Sequence, residues 1–204
     1  MTINSRDLKM ENNCVKIKST EVLSDSWYLL NKVTFEYLRN DGTWQTQIRE
    51  SYDRGNGACV FLYNKQKQQI ILLRQFRLPS YLNGNASGFL IETCAGLLDK
   101  DDPETCIKKE ILEETGYEIE NVSKVFEAFL SPGAVTENLH CFVAEYTDAM
   151  KKNNGGGLIE EQEEIEVLEI PFNQAIEWLH SGKIRDAKTI MLLQYALIHK
   201  LMES

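Results

Sequence analysis

The chain reads as an α+β protein built on mixed β-sheets, and three features of its 204 residues lead there. Segments of strand length, bounded by Gly, Asn, Asp and Pro turns, dominate the sequence as far as Tyr146. Helical patterns are few: one acidic segment in the middle of the chain and two more at its C-terminal end. Strands and helices do not alternate as βαβ units, which argues against a doubly wound parallel fold.

Taken in order, residues 14–54 form an antiparallel β unit. Val33, Phe35 and Tyr37 alternate along one face, and Asn40-Asp41-Gly42 is a hairpin turn into a strand over 44–52. Gly55 and Gly57 precede a strand over 58–63, which pairs through a polar turn with 69–74. Residues 88–94 form a strand leading into the acidic helix. Strands over 122–129 and 139–146 are joined by the Ser131-Pro132-Gly133-Ala134 turn. Asn153-Asn154-Gly155-Gly156-Gly157, followed by Glu160-Glu161-Gln162-Glu163-Glu164, reads as a mobile surface loop in preference to an active-site lid. A short strand over 165–170 comes next, then a helix capped by Asn173 and ended by Gly182, then a longer helix over 187–201.

The acidic helix carries the most information. Asp102 suits its N-cap, Pro103 its first position, and Gly116 a left-handed stop. Glu110, Glu113 and Glu114 stand at i, i+3 and i+4 and share a stripe; Ile107, Ile111 and Leu112 adjoin it and can face a core. Like charges at these spacings repel by about 0.2–0.5 kcal/mol per pair. Carboxylates in the last turn also oppose the helix dipole. A solvated acidic face and a divalent-cation site both fit this spacing. A cation would turn both costs into binding energy, because Mg²⁺ prefers carboxylate oxygens and water.

Composition is ordinary for a globular chain, 43% hydrophobic and 26% charged. A net charge of −9 argues against a broad nucleic-acid or anionic-membrane surface, so a phosphate site has to be local. Five cysteines without a C-x-x-C pair read as reduced thiols of a cytoplasmic protein. No apolar run reaches membrane-spanning length, and no leader pattern is read at the N-terminus.

From Gly96 to Gly116 the sequence closely resembles the Nudix box, whose pattern is Gly, five residues, Glu, seven residues, then Arg-Glu-aliphatic-any-Glu-Glu-any-Gly. Gly96, Glu110, Ile111, Glu113, Glu114 and Gly116 match in order. Asp102 replaces the first Glu, Lys109 replaces the Arg, and the spacer between them is one residue short. Further stretches extend the similarity over nearly the whole chain: Tyr52-Asp53-Arg54-Gly55-Asn56-Gly57-Ala58, Arg74-Gln75-Phe76-Arg77, Asn83-Gly84-Asn85, Ser131-Pro132-Gly133, the Gly155 tract and Gly182-Lys183-Ile184-Arg185-Asp186. Together they look like the GDP-mannose pyrophosphatase group of Nudix hydrolases, a branch close to the ADP-ribose pyrophosphatases. Members of that group share the short spacer and the Lys.

The resemblance implies a Nudix fold over 55–204, with mixed β-sheets sandwiched with helices. It implies that residues 1–54 are an N-terminal β unit for dimerisation, exchanged between the subunits of a homodimer. The implied activity is Mg²⁺-dependent hydrolysis of a nucleotide sugar at its diphosphate, GDP-mannose giving GMP and mannose 1-phosphate. An ADP-ribose or ADP-sugar pyrophosphatase and a non-catalytic nucleotide-sugar-binding regulator are the alternatives. The implied metal ligands are Glu110, Glu114 and the backbone carbonyl of Ala95, with Glu113 as a supporting carboxylate. Glu137 is the implied general base; Glu163 is an alternative base or an added ligand. Arg77 is the implied phosphate binder, with Arg74 competing, and Trp27 stacks on the base. Arg49, Glu50, Gly96, Leu97, Glu114, Glu137 and Lys188 fall at further substrate-contacting positions. Ile48 stands where the group has a polar contact, and Gln162 where it has an acid. Asp102 is expected to cap the helix first and ligate second. Lys109 is expected to pair with the box carboxylates.

Overall fold

The computed structural model describes residues 14–158, 160 and 163–203. They form two compact units, one comprising the chain up to Arg54 with Ser131–Glu137, the other Gly55–Leu130 with Asn138 onward.

In the first unit β1 (Val15–Asp25), β2 (Leu29–Leu38) and β3 (Trp44–Asp53) form an antiparallel sheet in that order. Asp41 builds the β2–β3 turn. Its carboxylate accepts from the Thr43 amide at 2.9 Å and the Thr43 hydroxyl at 2.6 Å. Tyr52 donates its N–H to the Ala134 carbonyl at 2.7 Å and accepts from the Thr136 amide at 3.1 Å, which fastens Ser131–Glu137 to the end of β3. Every residue of β1 is exposed, among them Val15, Ile17, Val22 and Leu23.

The second unit is organised by one seven-stranded mixed sheet. Its strands are β4 (Gly57–Asn64), β5 (Gln69–Phe76), β6 (Phe89–Glu92), β7 (Cys94–Leu97), β8 (Ser123–Phe129), β9 (Asn138–Glu145) and β10 (Glu166–Pro171). The order is β10-β5-β4-β9-β8, with β6 on β5 and β7 on β4. β4 and β9 are parallel; the other pairs are antiparallel. The helices are α1 (Leu78–Leu82), α2 (Pro103–Glu110), α3 (Phe172–His180) and α4 (Ala187–Ile198). Because strand side chains alternate, β4 feeds two cores. Cys59 and Phe61 pack with Ile70 and Leu72 in the cluster that contains Phe172 and Ala175 of α3 and Leu192 and Leu193 of α4. Ala58, Val60 and Leu62 pack with Ile71 and Leu73 in the cluster that contains Cys106 and Ile107 of α2, and then Ile111. A sheet apolar on both faces needs cover on both, which gives the expected sandwich. Among the described residues no helix is long and apolar enough to cross a membrane.

Four elements differ from the sequence reading. The single strand expected over 88–94 divides at Thr93 into β6 and β7, so the chain leaves β5 and joins β4. Thr93 holds this step: its hydroxyl donates to the Val60 carbonyl, and its N–H donates to the Thr189 hydroxyl oxygen at 2.7 Å. α3 starts at Phe172 with Pro171 at the N-cap, ahead of Asn173, because β10 runs directly into it and buried Phe172 is drawn into the core. α4 stops at Ile198, short of 201, with Lys200 turned to φ 53°. α1, with Pro79 in its first turn, is too short to leave a periodic signal.

Candidate active site

α2 begins as its sequence predicts. Asp102 accepts from the amides of Glu104 and Thr105, both at 3.1 Å, and from the Thr105 hydroxyl at 2.6 Å. Its carboxyl is held below the usual range by the hydroxyl and amide of Thr105. Asp102 is thus committed as a cap. The helix is regular only to Glu110; Ile111–Thr115 is a π-helical turn, closed by Gly116 at φ 79°. Glu113 and Glu114 therefore ride on the π turn and do not continue a regular stripe. Such turns interrupt α-helices frequently at functional sites. Lys109 pairs at 2.5 Å with Asp101, before the helix, and also feels the charge of the box carboxylate Glu113.

β7 brings the backbone against these carboxylates. Glu114 is 3% exposed and accepts from the Ala95 N–H at 3.1 Å. The Ala95 amide thus holds this carboxylate against β7. Burial pushes the Glu114 carboxyl up to about 8, and the charges of Glu110 and Glu163 add to the rise against donation from Cys94 and Ala95. At Gly96 a Cβ would stand 1.9 Å from Glu110 Oε1, so only glycine lets that carboxylate lie on the strand. Gly96 and Leu97 themselves pair with Ala58 and Gly57 of β4.

The glycine tract is packed, not free. Gly156 donates to the Glu114 carbonyl at 2.9 Å and Gly157 to the Glu113 carbonyl at 3.2 Å. These are the orphan acceptors at the end of the box helix. Gly155, at φ 65°, has room for no side chain: a Cβ would lie 2.3 Å from the Glu114 carbonyl oxygen. The Glu163 carboxylate accepts from the Leu158 amide at 3.3 Å and is half-buried beside Gly157. Gln162 and Glu161 lie outside the described residues.

Among the described residues no three His, Cys, Asp or Glu side chains converge as a ready-made metal cage. The donor chemistry still fits a hard cation. Glu110 and Glu114 lie close enough for each charge to oppose the other, one of them buried, and a divalent ion relieves both penalties. Mg²⁺ takes one or two carboxylates and fills its remaining positions with water and phosphate oxygens, so an open pair suits it.

On the same unit, Arg77 at the end of β5 and Lys188 in the first turn of α4 converge on Glu92. Arg77 Nε and Nη2 donate to the two Glu92 oxygens at 2.9 and 3.1 Å, and Lys188 Nζ lies 2.6 Å from Glu92 Oε2. Burial alone would raise Glu92; the charges of Lys188 and Arg77 outweigh it and hold the carboxyl at about 2. Arg77 and Lys188 are both lifted by Glu92 against their own burial, and Arg77 also feels the charge of Glu114. The sequence reading named Arg77 and Lys188 but missed the glutamate between them. Its one signal was a charge ending the apolar run Phe89-Leu90-Ile91. Arg74, the competitor, pairs with Glu166 at 3.0 Å and stacks on Phe89 at 4.0 Å.

The remaining site residues lie in the first unit. Trp27 is 81% exposed and meets Tyr28 edge-on, ring centroids 6.3 Å apart. Arg49 donates to the Ile48 carbonyl at 2.7 Å, and Arg49, Glu50 and Ile48 are all exposed on β3. Glu137 is mostly buried, 3.9 Å from Arg54 Nε, and its segment travels with the N-terminal strands.

Comparison with known proteins adds two matches that between them span residues 14–193. Residues 53–193 match the NUDIX domain family, and residues 14–52 match the GDP-mannose pyrophosphatase NudK N-terminal domain. A curated GDP-mannose pyrophosphatase of Pectobacterium atrosepticum is 54% identical over 184 residues, covering 90% of this chain and 94% of the relative. One of the same name from Escherichia coli is 51% identical over 189 residues, covering 93% and 98%. Another, from Shigella flexneri, is 53% identical over 183 residues, covering 90% and 95%.

Proposed function

The chain belongs to the Nudix family, and from that premise we propose that it hydrolyses GDP-mannose at its diphosphate, giving GMP and mannose 1-phosphate. The observation that carries the reading is the buried Glu114 carboxylate, set beside Glu110 on the Ala95 and Gly96 backbone and within electrostatic reach of Arg77. Carboxylates for a cation stand near a guanidinium for phosphate, as diphosphate chemistry requires. The curated GDP-mannose pyrophosphatases, similar over almost their full length, support the choice of base and sugar.

The family generally works with a divalent metal; here Mg²⁺ is assigned, held by Glu110, Glu114 and the Ala95 carbonyl, with Glu113 and Glu163 as further carboxylates. When bound, the cation neutralises diphosphate charge and lowers the pKa of water. Arg77 is assigned to donate from its guanidinium to a phosphate oxygen, and Lys188 is a further substrate-contacting residue. Glu137 takes the proton of the attacking water, with Glu163 as the alternative base. Trp27 stacks on the base, and Arg49 and Glu50 contact the substrate. Gly96 and Leu97 contribute backbone.

Incubation with Mg²⁺ and a panel of GDP-mannose, ADP-ribose, ADP-glucose and NADH, with the products resolved, tests this reading. Preferential turnover of GDP-mannose is expected. Preference for an adenine nucleotide would move the assignment to an ADP-sugar pyrophosphatase, and binding without turnover would make the protein a regulator.

The N-terminal sheet is assigned to a homodimer in which each site borrows residues from the partner. The fully exposed β1, with Val15, Ile17 and Val22 outward, supports this, since such a strand is normally covered. Sedimentation should give a dimer at assay concentration; a fully active monomer would contradict it. The buried thiols of Cys59, Cys94, Cys106 and Cys141 support a cytoplasmic enzyme.

A further inference from the structure

We propose that Glu92 is a positioning residue: its buried carboxylate fixes the Arg77 guanidinium and the Lys188 ammonium in the orientation that receives the substrate's diphosphate. The inference rests on the reading of Arg77 and Lys188 as phosphate-binding groups and adds the residue through which they are aimed.

Glu92 is 3% exposed and ends β6, out of reach of a ligand in solvent. Arg77, whose side chain is 41% exposed, is reachable. Arg77 commits Nε and Nη2 to the two Glu92 oxygens. That bidentate fork fixes the plane of the guanidinium and leaves Nη1 as the uncommitted nitrogen among the described residues. Lys188 is fixed by Glu92 Oε2 at 2.6 Å and Asp186 Oδ1 at 3.0 Å.

The carboxylate is itself anchored on two elements. Asp186 caps α4 through the Thr189 amide at 3.0 Å and hydroxyl at 2.6 Å, and the Thr189 hydroxyl oxygen receives the Thr93 N–H at 2.7 Å. Thr93 also donates its hydroxyl to the Val60 carbonyl on β4. Glu92 therefore has a fixed backbone on one side and fixed cations on the other. A buried ion cluster is a weak way to gain stability, since well-packed apolar side chains do as well. Two cations and two carboxylates also cancel, so the cluster offers no net attraction for an anion. What the arrangement supplies is orientation.

That distinction sets the test. Glu92→Gln keeps the shape, removes the fork and leaves the cluster more positive, so binding is not weakened while the aim is lost. In the full-length Mg²⁺-loaded enzyme, kcat per folded molecule should fall about tenfold or more while KM for GDP-mannose stays within about twofold. Glu92→Asp, which keeps the charge one methylene short, should recover part of kcat. In a double-mutant cycle, Arg77→Ala should cost kcat/KM less than about a tenth as much in the Glu92→Gln background as in the parent. An unchanged kcat per folded Glu92→Gln molecule, or additive Arg77 and Glu92 effects, would overturn the proposal. If Glu92→Gln does not fold, Glu92→Asp and the Arg77→Ala cycle on it carry the same test. A parent enzyme that neither binds nor turns over nucleotide sugars would instead sink the functional reading, and this proposal with it.

Discussion

Glu114 and Glu92 are both buried glutamates, yet their surroundings push them in opposite directions. Glu92 is flanked by Arg77 and Lys188 and held at about 2; Glu114 faces Glu110 and Glu163 and rises to about 8. The first is satisfied by the chain itself; the second is the carboxylate assigned above to Mg²⁺. Mg²⁺ at a hundred times its dissociation constant should therefore stabilise the protein by about 2.7 kcal/mol. For a chain of this length that is a rise in Tm of about 5–10 °C. Glu114→Gln should fold and lose most of that rise in a thermal melt; an equal rise in the variant would remove Glu114 from the metal site. Residues whose role is local were legible in the sequence: Asp102 caps and Gly116 stops, as their types and positions require. Glu92 was not, because its partners come from positions 77 and 188 and only folding brings them together.

At the level of elements, the acidic helix and the glycine tract turn out to be one construction. The π turn Ile111–Thr115 carries Glu113 and Glu114, and the amides of Gly156 and Gly157 take up the carbonyls of Glu114 and Glu113. Sequence reading placed the box helix and its cap but not the π turn, since closing at i+5 in place of i+4 alters no composition or cap. It took the tract for a surface loop for a similar reason: glycines that permit close packing and glycines that permit motion are the same letters. Gly155→Ala separates the two. With φ at 65° and the Glu114 carbonyl oxygen 2.3 Å from the new Cβ, it should destabilise by about 1–3 kcal/mol in urea unfolding. An unchanged midpoint would return the tract to the mobile class. The break of 88–94 at Thr93 was equally hidden, because both halves have strand composition and only the change of partner from β5 to β4 divides them.

For the whole molecule, the α+β class and the N-terminal antiparallel sheet were legible because alternation and turn residues are local signals, and the family was legible from the box and its flanking motifs. The Ser131–Glu137 segment was not placed: a strand-linking turn looks the same whichever unit it joins, and it joins the first. With it goes Glu137, so the assigned base belongs to the unit that also carries Trp27, Arg49 and Glu50. The residues assigned to the metal and to the phosphate belong to the other. The activity assigned to the chain is hydrolysis of the GDP-mannose diphosphate. Phosphorus NMR of GDP-mannose incubated with the protein and Mg²⁺ reads that reaction directly. Loss of the two diphosphate signals and equal growth of two monoester signals, GMP and mannose 1-phosphate, are expected, abolished by a chelator. An unchanged diphosphate spectrum, with ADP-ribose cleaved under the same conditions, would contradict the assignment.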